Sequence, residues 1–194
     1  MSVIILASKS KVRKAILNSN EIDCEVVPSN VDEDSVKISL IKNKASPELI
    51  SKNLAELKAN KVSTKFSDKL VLGADSVIDF EGKIISKPNN RNEALDILKL
   101  LNGKSHFLIS SVCISKGGNM IWNYTDKATL TMKSFSEEEL IAYLSKISDE
   151  ALYAYNVYQI EGEGRKLFSE IKGDENTIMG LPIDKIKDYL KNYE

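Results

Sequence analysis

Hydrophobic and polar positions change period many times along this chain, and each change marks an element. Val3 to Ala7 is an apolar run of strand length that stops at Ser8 and Ser10. The positions from Val12 to Leu17 predict a short helix, and Cys24 to Val27 predict a second strand, followed by an acidic loop at Asp32, Glu33 and Asp34. A helical pattern runs from Pro47 to about Lys65, opened by Ser46 with proline in the first turn. Lys69 to Phe80 reads as a strand, Glu81-Gly82 as a tight turn and Lys83 to Ser86 as the returning strand. Arg91 to Leu101 is amphipathic, with Ala94, Ile97, Leu98 and Leu101 on one face. Two long strands, His106 to Ser115 and Asn119 to Met132, flank Lys116-Gly117-Gly118, a hairpin signal. Ser136, with glutamates at 137 to 139, caps a helix to about Lys146; a strand near Leu167 to Ile171 and a helix from Pro182 to about Lys191 complete the pattern. Strands and helices are mixed without the regular alternation of a βαβ array, so the expectation is α/β with a mixed sheet.

Composition narrows the possible functions. With 194 residues and a net charge of −1, the chain can bury a full core and has no general attraction for nucleic acid or anionic lipid. Neither is expected as a partner. Cys24 and Cys113 lie in separate apolar runs without metal or redox spacing, and are expected to be buried free thiols suited to a reducing cytosol. The first apolar run is too short for a signal or a membrane span, so a cytoplasmic location is expected. His106 is the only histidine, which excludes a multi-histidine metal site; at the start of an apolar strand it predicts a structural hydrogen bond. No Walker loop or dinucleotide fingerprint is present.

Four places carry candidate chemistry. Ser8 and Ser10 sit between a strand and a helix start, with Arg13 one turn on; such a loop suits a phosphate, although Ser10 also reads as a plain N-cap. Asp75 interrupts the apolar strand Val71 to Ile78, where a carboxylate is costly unless backbone amides, a partner or a metal satisfies it. Lys58 continues the apolar row of Ile50 and Leu54, as a snorkelling lysine or a site residue. Lys87 follows the return of the hairpin that contains Asp75, so two connected strands could bring acid and base to one end of the sheet.

The segment LASKSKVRKAIL resembles the amino-terminal signature of the Maf family, usually L-A-S-x-S-P-R-R. Further segments keep that family's order: Val31-Asp32-Glu33, Asn53 to Ala59, Gly73-Ala74-Asp75-Ser76, Lys87-Pro88, Leu101 to His106, Glu161 to Gly164, and Gly180-Leu181-Pro182. The resemblance spans almost the whole chain and implies a single domain, residues 1–194. It implies a fold similar to inosine triphosphate pyrophosphatases: a bent mixed β-sheet in two lobes, with flanking helices and a central cleft. It also implies hydrolysis of a nucleoside triphosphate to a monophosphate and pyrophosphate, a house-cleaning role toward nonstandard nucleotides. On this resemblance Asp75 is catalytic, and Ser8, Ser10, Arg13, Lys58, Lys87 and Glu161 bind substrate. A divalent cation, Mg²⁺ or Mn²⁺, would be held by Glu33 and Asp75, since magnesium needs only one or two carboxylates. The family commonly forms homodimers, and Trp122 and Tyr124 on the long hairpin are expected to be exposed for that pairing. The other reading is a nucleotide-binding regulator of septum formation that has lost turnover.

Several positions depart from the family's pattern. Lys11 and Val12 replace the usual proline and first arginine, removing one expected phosphate donor that Lys9 or Lys11 would have to replace. Ser86 and Asn156 stand where glycine is common. Glu161 stands where members acting on dTTP and UTP carry glutamine, and resembles the branch associated with 7-methyl-GTP.

Overall fold

The computed structural model describes residues 3–193. Its centre is a mixed sheet of seven strands. β1 (Ile4–Leu6) lies parallel to β2 (Cys24–Val26) and to β3 (Val71–Phe80). β5 (Ser105–Lys116) and β6 (Asn119–Met132) form the predicted hairpin, antiparallel to β3, and β7 (Phe168–Lys172) pairs with β6. The short return β4 (Lys83–Ile85) pairs with the end of β3.

This pairing leaves a gap. β5 covers one edge of β3 from Val71 to Asp79, so β1 and β4 must share the other edge. β1 takes Val71 and Leu72, and β4 takes Ile78 to Phe80. Residues 73–77, with Asp75 in the middle, have no strand beside them on that edge, and buried backbone groups there need other partners.

Helices α1 (Lys11–Ser19), α2 (Glu33–Lys42), α3 (Pro47–Ser63) and α4 (Arg91–Leu101) are followed by α5 (Glu137–Leu144), α6 (Asp149–Tyr155), the four-residue α7 (Glu175–Ile178) and α8 (Ile183–Tyr193). Side-chain caps open α1 to α7: Ser10, Asp32, Ser46, Asn90, Ser136, Ser148 and Asp174 each accept a backbone N–H. Asp32 to Asp34, expected as an acidic loop, are instead the cap and first turn of α2. That helix buries no residue, so it leaves no apolar period to find.

Two large apolar clusters hold the sheet. One gathers Leu98, Leu101, Leu130, Leu140 and Leu152; the other gathers Leu6, Leu17, Leu72, Ile114 and Ile186. Trp122 and Tyr124, expected to be exposed, are half-buried on the second, where Trp122 stacks on Tyr189 of α8 with centroids 4.9 Å apart. Cys113 is buried and Cys24 half-buried, both free.

Gly73 sets the distance between α3 and β3. A Cβ there would lie 2.3 Å from the Ala55 carbonyl oxygen and 2.7 Å from the Ala59 nitrogen, so only glycine permits this approach. The same approach brings Lys58 of α3 to Asp75 of β3.

Candidate active site

Lys58 and Asp75, both buried, meet in the gap along β3. Lys58 Nζ donates to Asp75 Oδ1 at 2.9 Å and to Glu33 Oε1 at 3.0 Å, so one ammonium bridges two carboxylates. It also reaches the Ala74 carbonyl at 3.4 Å, and Ser51 donates to the Asp75 carbonyl at 3.0 Å. These side chains do what a neighbouring strand would otherwise do. Asp75 Oδ2 is buried with no hydrogen-bond partner among the described residues. Burial pushes the Glu33 pKa up, but Lys58, and more weakly Lys37 and Lys87, outweigh it and hold Glu33 below the ordinary carboxylate value.

Arg13 fastens α1 to the same gap. Its Nη1 donates to the Ala74 carbonyl at 3.1 Å and to Ser8 Oγ at 3.2 Å, Nε to the Gly180 carbonyl at 2.9 Å, and Nη2 to Ser76 Oγ at 3.2 Å. Four donor bonds thus go to the protein itself. Burial lowers the Arg13 pKa, against Asp75, Glu33 and Tyr155, but a guanidinium stays protonated. Ser8 Oγ accepts from both Arg13 and the Ser10 amide, at 3.2 Å each, so its own proton is free to point at a ligand. Ser10 is the N-cap of α1, accepting from the Arg13 amide.

All the sequence-predicted residues line one cavity of about 460 Å³: Ser8, Ser10, Arg13, Glu33, Lys58, Asp75, Lys87 and Glu161. Lys87 is exposed on the loop after β4, yet the protein around its ammonium lowers its pKa; Glu33 opposes that shift, and Lys37, Arg13 and Lys58 add to it. Glu161 is exposed and accepts a 3.0 Å bond from Gln159 Nε2. Lys11 does not line the cavity; it faces Glu150 at 3.8 Å in solvent, whereas Lys9 does line it.

Sequence reasoning missed Lys37, Ser76, Tyr155 and the apolar wall of Ile78, Leu108 and Ile160. Lys37 lies four residues beyond Glu33 on α2, a signal readable only once that stretch is known to be helical. Asn156, which also lines the cavity, has φ 72° and ψ −160°, a conformation favoured by glycine. Its Oδ1 accepts from the Val157 amide at 2.9 Å, which holds the turn at the end of α6. Behind this wall His106 is buried and shares a 2.8 Å hydrogen bond with the hydroxyl of Tyr158, the structural role expected of it.

The chain is thus an α/β protein with a split mixed sheet and a cavity lined by two bridged carboxylates, a serine hydroxyl and several lysines. The family model described as Maf-like protein matches residues 3–193, and the chain belongs to that family. A protein of Pelagibacter ubique (strain HTCC1062) named nucleoside triphosphate pyrophosphatase is 73% identical over 188 residues, 97% of this chain and 96% of its own length. A Rhizobium etli protein (strain ATCC 51251 / DSM 11541 / JCM 21823 / NBRC 15573 / CFN 42) named 7-methyl-GTP pyrophosphatase is 34% identical over 180 residues, 93% of this chain and 90% of its own. In fold alone, the chain is similar to the Ham1 protein of Staphylococcus aureus, at TM-score 0.54 and 12% identity over 100% of both chains. The expected bent mixed sheet with flanking helices is what the structure has.

Proposed function

We propose that this protein hydrolyses nucleoside triphosphates to a nucleoside monophosphate and pyrophosphate. The observation that carries the reading is the Glu33–Lys58–Asp75 bridge inside a cavity that also holds Ser8 and uncommitted lysines. The high identity to a protein of that name over nearly the whole chain supports it.

Water attacks the α-phosphorus, its oxygen stays on the monophosphate, and the α–β bridging oxygen leaves with pyrophosphate. Asp75 Oδ2, which has no hydrogen-bond partner among the described residues, takes the proton of the attacking water, while Lys58 fixes the carboxylate through Oδ1. Ser8 donates to a phosphate oxygen, and Lys87 offsets charge on a group that brings about four negative charges. Arg13, through Ser8 and the Ala74 carbonyl, holds this wall in place.

The donor set fits a divalent cation such as Mg²⁺ or Mn²⁺: the partly exposed Glu33 carboxylate and buried Asp75 would hold it, in a cavity with room for waters, and with the cation bound on Asp75 the attacking water would be activated by both. When bound, the cation would neutralise phosphate charge and polarise the α-phosphate. The described residues contain no cluster of three or more histidine, cysteine or acidic side chains placed for a metal, so water and substrate oxygens would have to complete the shell.

Glu161 supports guanine or 7-methylguanine as the base. Its carboxylate only accepts at neutral pH, which suits the N1–H and N2 amino donors of guanine and the positive ring of the methylated form; glutamine would suit dTTP or UTP better. The deciding experiment is pyrophosphate release from dTTP, UTP, GTP and 7-methyl-GTP with wild type and Glu161→Gln. Preference should move from the guanine nucleotides toward the pyrimidines, and an equal loss on all four would assign Glu161 to the phosphates instead. No release from any of them would favour the septum-regulator reading, whose support is Val12.

A homodimer belongs to the proposal: with Trp122 and Tyr124 half-buried, the hairpin still presents Met120 and Ile121 at 40% and 41% exposure. Light scattering should give twice the 21.6 kDa of the chain. No helix among the described residues is long and apolar enough to cross a membrane.

A further inference from the structure

The cations around the cavity divide into two groups. Arg13 is bonded to two carbonyls and two hydroxyls, and Lys58 is neutralised between two carboxylates. Lys58 is thus held by two opposite charges, and Arg13 keeps its charge but has four of its five N–H donors committed to the protein. Lys9, Lys37 and Lys87 line the same cavity and make no ion pair or hydrogen bond among the described residues. Val12, at the position of the missing arginine, packs against the second apolar cluster and adds no charge.

Lys37 is the least expected of the three. It is half-buried on α2, on the same helical face as Glu33, four residues along. A Glu-to-Lys pair at that spacing usually closes on itself, but here Glu33 turns to Lys58 and leaves Lys37 open to the cavity. Lys37 lines the cavity together with Glu33, Lys58 and Lys87, and its charge helps to lower the pKa of both Glu33 and Lys87.

We propose that Lys37 is a polyphosphate-binding residue which, with Lys9, supplies the positive charge that Val12 does not. This rests on the pyrophosphatase reading for its substrate, but its binding test does not need turnover. Because α2 buries no side chain, a phosphate bridged to Lys37 also seats this helix against the cavity and with it Glu33.

The test is calorimetric titration of inorganic tripolyphosphate into wild type, Lys37→Ala, Lys37→Gln, Lys37→Arg and Lys42→Ala. Lys42 is exposed at the far end of α2 and does not line the cavity. Lys37→Ala and Lys37→Gln should each bind about tenfold more weakly, the loss of one charge-assisted hydrogen bond, while Lys37→Arg stays within about twofold. Lys42→Ala should match wild type, and every variant should melt like wild type. In turnover assays KM should rise more than kcat falls. Unchanged affinity in Lys37→Ala and Lys37→Gln, equal weakening in Lys42→Ala, or no binding of tripolyphosphate by wild type would each overturn the proposal. A wild type that binds tripolyphosphate but releases no pyrophosphate from any triphosphate would defeat the pyrophosphatase reading alone; the binding comparison would still decide Lys37.

Discussion

Asp75 holds one carboxylate oxygen on Lys58 and leaves the other, Oδ2, without a partner, an arrangement that costs stability and so points to chemistry. Asp75→Asn keeps the shape of the side chain and an acceptor for Lys58, but cannot take a proton. Pyrophosphate release should fall about 10²–10⁴-fold, the usual value of a general base, while circular dichroism and the melting transition stay close to wild type. Retention of more than about a tenth of the rate would remove Asp75 from that role. Asp75 and Lys58 were legible in the sequence because each interrupts an apolar row where a charge is expensive. Lys37 was not, since it is one lysine in a polar stretch and nothing local distinguishes a cavity wall from solvent; Lys9 was named only together with Lys11, and the fold alone separates the two. Arg13 was visible as a residue suited to phosphate, but its bonds to Ala74 and Gly180, distant in sequence, exist only once the fold has formed.

At the scale of elements, the site depends on how closely α3 approaches β3. Gly73 permits that approach, and Gly73→Ala would place a methyl group 2.3 Å from the Ala55 carbonyl. Backbone must move on both sides, because neither the Ala55 oxygen nor the Ala59 nitrogen can rotate away. The expected cost is about 1–3 kcal/mol of stability, as for overpacking in general, with a larger proportional loss of activity because Lys58 shifts against Asp75. Urea unfolding together with pyrophosphate release checks both parts; a variant that is destabilised but fully active would show that the spacing does not set the geometry of the bridge. The longer strands and helices were readable because each buries part of its length with its own period, whereas β2 and β4, which bury no residue, were readable from short apolar runs beside turn residues. α2 and α6 were not: α2 has no buried residue, and α6 is only seven residues long. Their local signals were the caps Asp32 and Ser148 and the acidic residues that follow each in the first turn.

Over the whole molecule, the sheet joins two apolar clusters, and the cavity opens where β1 and β4 fail to meet along β3. A mixed sheet was predictable from the order of patterns, but the shared edge was not, because it depends on pairings between strands far apart in sequence. The larger cluster encloses His106, and this makes global stability sensitive to acid. Burial lowers the His106 pKa to about 4, from an ordinary 6.5, and Nδ1 is buried with no hydrogen-bond partner among the described residues. The folded state therefore resists protonation that the unfolded chain accepts. Stability is unaffected by this group above pH 6.5, falls as the pH drops from 6.5 toward about 4, and levels off below that. The full loss from this one group is about 3 kcal/mol, and roughly 2 kcal/mol of it comes between pH 6.5 and pH 5. His106→Gln retains a group able to bond to the Tyr158 hydroxyl but does not titrate. Carboxylates protonate in both proteins, so the quantity to read is the difference between their urea-unfolding free energies at pH 7, 6 and 5. That difference should move in favour of the variant as the pH falls, and parallel stability curves would show that His106 can be protonated in place without cost.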